Sequence, residues 1–312
     1  MAFPPAIDPA ISPRAGFSRG GQPLSYNRAP AADLAPWIGR FYATYIDAPP
    51  GHQFDCGIFN DCSMARIQLR GDWVAETADG TQRIGRAALM FGPQSRVMRV
   101  AVEGGFTSIG FSFRPGTGYA LHGQHMRTLV DRLVPGEQFG WPVQQAMDAL
   151  DQCEDGETAV SLLEDIVRRF IQYKGAPEPD ALTVQFELIA LTNPAQTIAE
   201  CARACGVDRK KLERVVLRDF GLSPKQVLRR ARALDMAAWL RGVADAEEGN
   251  DLALRYYDQS HLIREFSDLF GMSPKQFVTR PLPILTLALE SRQAHRLETL
   301  ARLAPGARRP WQ

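Results

Sequence analysis

Between residues 37 and 115, apolar positions recur every second residue. In MARIQLR, Ala65, Ile67 and Leu69 fall on one side and Arg66, Gln68 and Arg70 on the other; in SIGFSF, Ile109, Phe111 and Phe113 alternate with Ser108, Gly110 and Ser112. A period of two marks half-buried strands. Gly- or Pro-containing breaks at 71, 79–80, 92–93 and 104–105 punctuate the pattern at hairpin-like spacing, which predicts an antiparallel sandwich or barrel. After Phe113 the period lengthens. Segment 142–152 opens with Pro142, and Val160, Leu163, Val167, Phe170 and Ile171 sit at helical spacing in 157–172. KGAPEPD (174–180) reads as a linker. From 181 to about 280 the pattern is helical throughout.

The helical part contains a repeat. FGLSPKQ begins at Phe220 and FGMSPKQ at Phe270, an offset of 50 residues that reaches back to Asp208 and Asp258. Gly221 and Gly271 suit the left-handed residue that ends a helix. Ser223 and Ser273 can cap the next helix, with Pro224 and Pro274 at its first position and Gln226 and Gln276 completing a capping box. Upstream, TIAECARACGVDRKKLERVVLRDF (197–220) places Ile198, Cys201, Ala202 and Cys205 on one face of a short helix. Gly206 follows at a turn, and Leu212, Val215, Val216 and Phe220 line one face of a second helix. Helix, short glycine turn, helix is the helix-turn-helix layout, and the second helix begins with the donors Arg209, Lys210 and Lys211.

Charge alters the picture once it is divided. The 312 residues carry a net charge of +1, which taken whole argues against a nucleic-acid binder. Residues 1–180 sum to −4 and residues 181–312 to +5; the stretch 196–232 alone is +6, with ten Arg or Lys against four acids. That is a phosphate-neutralising surface. The second repeat, 246–280, is −2. The first unit is therefore expected to supply most of the phosphate attraction, and the second to add discrimination between sequences or only weak contact.

These strings resemble the AraC/XylS family of bacterial transcription regulators: CARACGVDRKKLERVV, FGLSPKQ and YYDQSHLIREFSDLFGMSPKQF match its tandem helix-turn-helix domain. GFSFRPGTGYALHG (110–123) is similar to the cupin-like sensor domain of some members. The resemblance implies an α+β N-terminal domain, a cupin-like β-barrel or sandwich with helices, joined to an all-α C-terminal domain with two helix-turn-helix units. The expected divisions are a flexible Pro-rich arm (1–36, seven prolines), a sensor or dimerisation domain (37–175), the DNA-binding domain (181–280) and a tail (281–312). By resemblance, Arg209, Lys210, Glu213, Arg214 and Lys225 contact DNA from the first unit, and Gln259, Ser260, His261, Arg264 and Lys275 from the second. A helix from Pro224 to about Arg241 connects them. LALRYYDQSH (252–261) lacks the glycine usual at the second turn and is about two residues short.

Trp73, Phe91, Phe111 and Phe113 are candidates for an effector pocket, against the plainer reading of aromatic core. The expected partners are double-stranded DNA, a small-molecule effector, a second copy of the chain and, for an activator, RNA polymerase. No membrane partner is expected, since no apolar run approaches the ~18 residues a span needs. No secretory signal and an odd count of five Cys suggest a reducing cytoplasm. Cys201 and Cys205 read as a small-residue helical face, and Cys56 and Cys62 likewise as packing. No cofactor is expected: RPGTG at 114–118 lacks the Lys-Ser/Thr ending of a phosphate loop. The rival reading is a cupin-like metal-dependent enzyme carrying a DNA-binding module. It lacks a His-x-His pair, with His52 the only histidine of the strand region and His122 and His125 just beyond it. The leucines of the tail (285, 289, 297, 300 and 303) either dimerise or pack back on the chain, and the terminal GARRPWQ is expected to fray.

Overall fold

The computed structural model describes residues 4–245 and 259–312. Its centre is a nine-stranded antiparallel sheet. The main path runs β1 (Ser12–Pro13), β3 (Ile38–Asp47), β8 (Met98–Phe113), β5 (Met64–Thr77), β7 (Ala87–Phe91) and β9 (Leu133–Pro135). β2 (Tyr26–Arg28) pairs with β3, β4 (Gln53–Ile58) with β8, and β6 (Gly80–Ile84) with β5. The short helix α1 (Thr117–His122) leads on to α2 (Val143–Asp151) and α3 (Gly156–Lys174). The two longer helices cover one face of the sheet, where Phe41, Ala65, Ile67, Ile109, Phe111 and Phe113 meet Ala146, Val160, Leu163 and Val167 in one core. The alternation read in MARIQLR and SIGFSF selects these inward positions.

The opposite face is not open to water. Of the C-terminal helices, α4 (Ala181–Thr192), α5 (Ile198–Ala204) and α6 (Arg209–Phe220) pack with the start of α7 (Pro224–Leu240) in a core of their own, and the sheet face is covered by α7, α8 (Gln259–Phe270), α9 (Pro274–Thr279) and α10 (Pro283–Thr299). Phe54, Trp73, Val100, Val102 and Phe106 of the sheet share a core with Leu234, Phe266, Phe270, Phe277, Leu285 and Leu289. The Phe59 and Phe270 rings meet edge to face at 5.2 Å across the domain boundary. The strand pattern therefore marks the apolar face correctly, but the polar face, which a half-buried strand turns to solvent, is enclosed: Arg40, Gln68 and Ser108 are all buried.

Two further expectations are corrected. The Pro-rich arm is docked from residue 4 onward: β1 and β2 pair with β3, and Ile11, Leu24 and Leu34 are buried. Its apolar residues supply the burial that its prolines do not prevent. The tail does not fray. Trp311 is buried, and Arg309 donates to the Glu290 carboxylate and to the Asn27 carbonyl. Leu285, Leu289 and Leu297 of α10 are only 1% exposed, so packing on the same chain occupies the face that dimerisation would use.

Candidate nucleic-acid interface

The first helix-turn-helix unit is assembled by local signals. Thr197 and Glu200 form a capping box at the start of α5. Gly206, at φ +65°, takes the left-handed turn, and the Asp208 carboxylate accepts from the Lys211 N–H at 2.8 Å to begin α6. α6 ends at Gly221, at φ +74°, and Ser223 with Gln226 boxes the start of α7. Leu212, Val215, Val216 and Phe220 fix the buried side of α6 against Cys201, Ala202 and Phe186. Cys201 is fully buried in that core, and burial raises its thiol to about 11.

The opposite side of α6 is chemically available. Arg209, Lys210, Lys211, Glu213 and Arg214 are exposed, as are Arg203 and Lys225. Among the described residues none of these six cations has an ion pair. The other four basic residues of 196–232 are committed to protein. Arg218 binds Asp219 at 2.6 Å and lies over the Tyr119 ring at 4.3 Å. Arg229 holds Glu265 at 3.3 Å and Asp268 at 2.8 Å. Arg232 donates to the Pro194 carbonyl at 2.9 Å. Arg230 is 1% exposed and donates to the Gln94 carbonyl at 2.7 Å and the Asp61 carbonyl at 2.5 Å. The charge sum of +6 thus mixes two populations, and only the free six can meet phosphate.

The connector α7 has seventeen residues, roughly 25 Å at about 1.5 Å each. It is bolted to its surroundings at both ends. Besides Arg230, Asp235 accepts from Arg292 of α10 at 2.6 Å. Arg241, just beyond α7, donates to Gln22 Oε1 at 2.6 Å, the Ala6 carbonyl at 2.7 Å and the Arg280 carbonyl at 3.0 Å. Arg230 was read in the sequence as part of the basic stretch 196–232, and Arg241 as the end of the connector. Neither position carries a mark of burial, and only the three-dimensional partners reveal it.

In the second unit, α8 ends at Gly271 (φ +66°), and Ser273 with Gln276 boxes α9, as the repeat predicts. Arg264 and Lys275 are exposed. The side chains of Gln259, Ser260 and His261, and the glycine-free turn at 252–258, lie outside the described residues. The four aromatic pocket candidates do not converge. Trp73 and Phe91 belong to the core on the C-terminal side of the sheet, and Phe111 and Phe113 to the core under α3. Among the described residues no group of three or more His, Cys, Asp or Glu could hold a metal ion, and no helix is long and apolar enough to cross a membrane. His52 lies 2.9 Å from Asp8.

Comparison with known proteins follows the same division. Residues 201–280 match the family described as "Helix-turn-helix domain", and residues 26–135 match "Domain of unknown function (DUF6597)". Nothing among curated proteins matches. A structure of ToxT from Vibrio cholerae is similar at 8% identity and TM-score 0.45, covering 76% of this chain and 97% of that one. A second, of ToxT with an unsaturated fatty acid bound, is similar at 10% identity and TM-score 0.43, covering 76% and 94%. The AraC-like transcriptional activator CuxR is similar at 14% identity and TM-score 0.28, covering 68% and 86%. The helix-turn-helix layout and the family match define a DNA-binding transcription regulator. Its FGLSPKQ and DQSH…FGMSPKQF repeats are the strings that resemble the AraC/XylS family, and most of their length falls within the matched residues.

Proposed function

We propose that the protein is a sequence-specific regulator of bacterial gene expression whose grip on DNA responds to a small-molecule effector. The observation that carries the reading is the segregation of charge: six exposed cations without ion pairs lie on α5, α6 and the start of α7, while the remaining basic residues of the same stretch are held by acids and carbonyls. A helix whose first turn projects donors, set on a cationic surface, is suited to the major groove. Arg209, Lys210, Glu213, Arg214 and Lys225 are proposed as first-unit contacts, and Gln259, Ser260, His261, Arg264 and Lys275 as second-unit contacts. The divisions 37–175 for sensing and 181–280 for reading stand as part of this proposal. Effector binding would act by shifting the population of DNA-competent chains.

The test is selection of bound fragments from genomic DNA with the purified full chain, followed by titration of the selected duplex. Two half-motifs about one helical turn apart are expected. Binding no tighter than to unrelated DNA would overturn the proposal.

A further inference from the structure

The enclosed polar face of the sheet surrounds a cavity. Two side-chain rows cross β3, β8 and β5 in register: Tyr42–Gly110–Arg66 and Thr44–Ser108–Gln68. α10 lies above them, and a cavity of about 70 Å³ remains between, bounded by Tyr42, Met64, Arg66 and Phe106 from the sheet and by Leu287 and Arg292 from α10. Gly110 makes the room. A Cβ at that position would come within 2.7 Å of the Tyr42 hydroxyl, which lies over the bare backbone.

The walls carry polar atoms that nothing in the fold satisfies. Tyr42 Oη, Arg66 Nη1 and Arg292 Nη2 are shut off from solvent and have no hydrogen-bond partner; Gln68 Oε1 and Ser108 Oγ, on the same face, share that condition. Folded proteins leave few such atoms, and a cluster of them calls for an occupant. Tyr42 and Arg292 are both more than nine-tenths buried.

Arg66 identifies the occupant's charge. Arg40 meets Glu298 at 2.8 Å, and Arg292 meets Asp61 and Asp235 at 2.6 Å each. Arg66 has neither an ion pair nor a hydrogen bond among the described residues. Its guanidinium instead lies over the Trp73 ring at 4.7 Å and the Phe91 ring at 5.2 Å. Its N–H groups lie in the guanidinium plane, and Nη1 is shut off from solvent with no partner at the cavity wall. An acceptor with two coplanar oxygens fits that edge, which is the geometry of a carboxylate. Tyr42 and Arg292 add donors from other walls, and Met64, Phe106 and Leu287 offer apolar contact to a short hydrocarbon body. At about 10–15 Å³ per water-sized group on this measure, the space holds roughly five to seven such groups and suits an acid of about four to six non-hydrogen atoms.

We propose that this cavity binds a small organic carboxylate, its charge met by Arg66 and its oxygens by Tyr42 and Arg292. The site is argued from the cavity itself; its regulatory meaning rests on the effector-responsive reading above. The probes are acetate, propionate, lactate and butyrate, titrated into the full chain by calorimetry and thermal denaturation, with propionamide, chloride and sulfate beside them. At least one acid is expected to bind saturably and raise the melting temperature, while the amide and the inorganic anions do not. Arg66→Gln should weaken that binding at least tenfold and Tyr42→Phe several-fold, and Tyr173→Ala, at a residue 85% exposed and outside the cavity wall, should leave it unchanged. If Arg66→Gln fails to fold by circular dichroism, Arg66→Lys replaces it, since lysine keeps the charge and loses the paired in-plane donors. The proposal is overturned if no acid binds, if chloride or sulfate does as well, which would leave adventitious ions or water as the only occupants, or if the Arg66 and Tyr42 variants bind like the parent. DNA affinity measured in parallel separates the two readings. An acid that binds without altering DNA affinity sinks the effector reading and leaves the site; intact DNA binding with no acid bound sinks the site and leaves the regulator.

Discussion

The sharpest consequence of the charge segregation concerns salt. Each phosphate neutralised by a protein cation contributes about −0.9 to the slope of log affinity against log salt. If all six free cations of the first unit (Arg203, Arg209, Lys210, Lys211, Arg214 and Lys225) engage phosphate, the slope is about −5, and a fourfold rise in salt lowers affinity on the order of 10³-fold. Lys210→Ala removes one contact and should flatten the slope by about 0.9. Arg229→Ala removes a cation of the same stretch that is already neutralised by Glu265 and Asp268, so its slope should stay with the parent's. Arg264→Ala, in the acidic second unit, should change the slope less than Lys210→Ala, and His261→Ala should alter sequence preference more than slope. The assay is fluorescence anisotropy with a selected duplex between about 50 and 200 mM potassium chloride, a range over which such contacts are clearly resolved. Equal flattening by Lys210→Ala and Arg229→Ala would refute the division into free and committed cations. A parent slope shallower than about −2 would refute the phosphate role itself.

The buried arginine of the connector gives a second expectation. Arg230→Leu strands the Gln94 and Asp61 carbonyls, which its guanidinium now satisfies. At about 1–3 kcal/mol for each stranded group, partly offset by removing a buried charge, a net loss of ~2–4 kcal/mol is expected in urea unfolding; an unchanged midpoint would count against it. Burial, with the Arg40 charge adding, holds the His295 imidazole at about 4, below its ordinary 6.5. The unfolded chain therefore takes up this proton first, so the stabilisation is full above about pH 6.5 and is lost as the pH falls towards 4. That amounts to at most ~3 kcal/mol. His295→Gln should flatten the stability profile across that window, and a profile as steep as the parent's would show that other groups control it. Two glycines of the first unit separate strain from crowding. Gly206→Ala meets no atom within 4 Å at φ +65°, whereas at Gly221, φ +74°, a Cβ would lie 2.9 Å from the Met126 carbonyl oxygen. The first should cost about 1–2 kcal/mol and the second clearly more in thermal denaturation; equal costs would show that the Met126 segment yields.

Much of this arrangement was legible because it is local. Capping boxes at Ser223 and Ser273, the terminating glycines and the two-residue alternation around Phe111 depend only on neighbours in sequence, and each is where the pattern placed it. What the sequence concealed is non-local. Arg66 and Gln68 alternate with Ala65 and Ile67 as solvent-facing residues would, and no periodicity distinguishes a polar face covered by a helix from one covered by water. Arg230 stands within a basic run and Arg241 just beyond a helix end, and their burial depends on carbonyls from residues more than a hundred positions away in sequence or at the N-terminal arm. The docked arm has the same origin: its composition is that of a mobile segment, yet a few apolar side chains suffice once a complementary surface exists.

The shared core also bears on how the proposed effector response would reach the helix-turn-helix units. α10 contributes Leu287 and Arg292 to the cavity, and through Arg292 it holds Asp61 on the sheet side and Asp235 on the connector. The connector in turn reaches the sheet domain through Arg230, whose two acceptors are carbonyls at Asp61 and Gln94. Asp61 therefore stands where the cavity wall, the connector and α10 meet, offering its carboxylate to one arginine and its carbonyl to another. Close-packed elements of this kind shift between discrete arrangements rather than deforming gradually. A ligand drawing on Arg66 and Arg292 together would favour the arrangement in which both walls are present, and could influence DNA only through its different affinity for that arrangement and for any other. The coupling proposed here therefore needs no long relay of contacts: the cavity and the connector share a side chain.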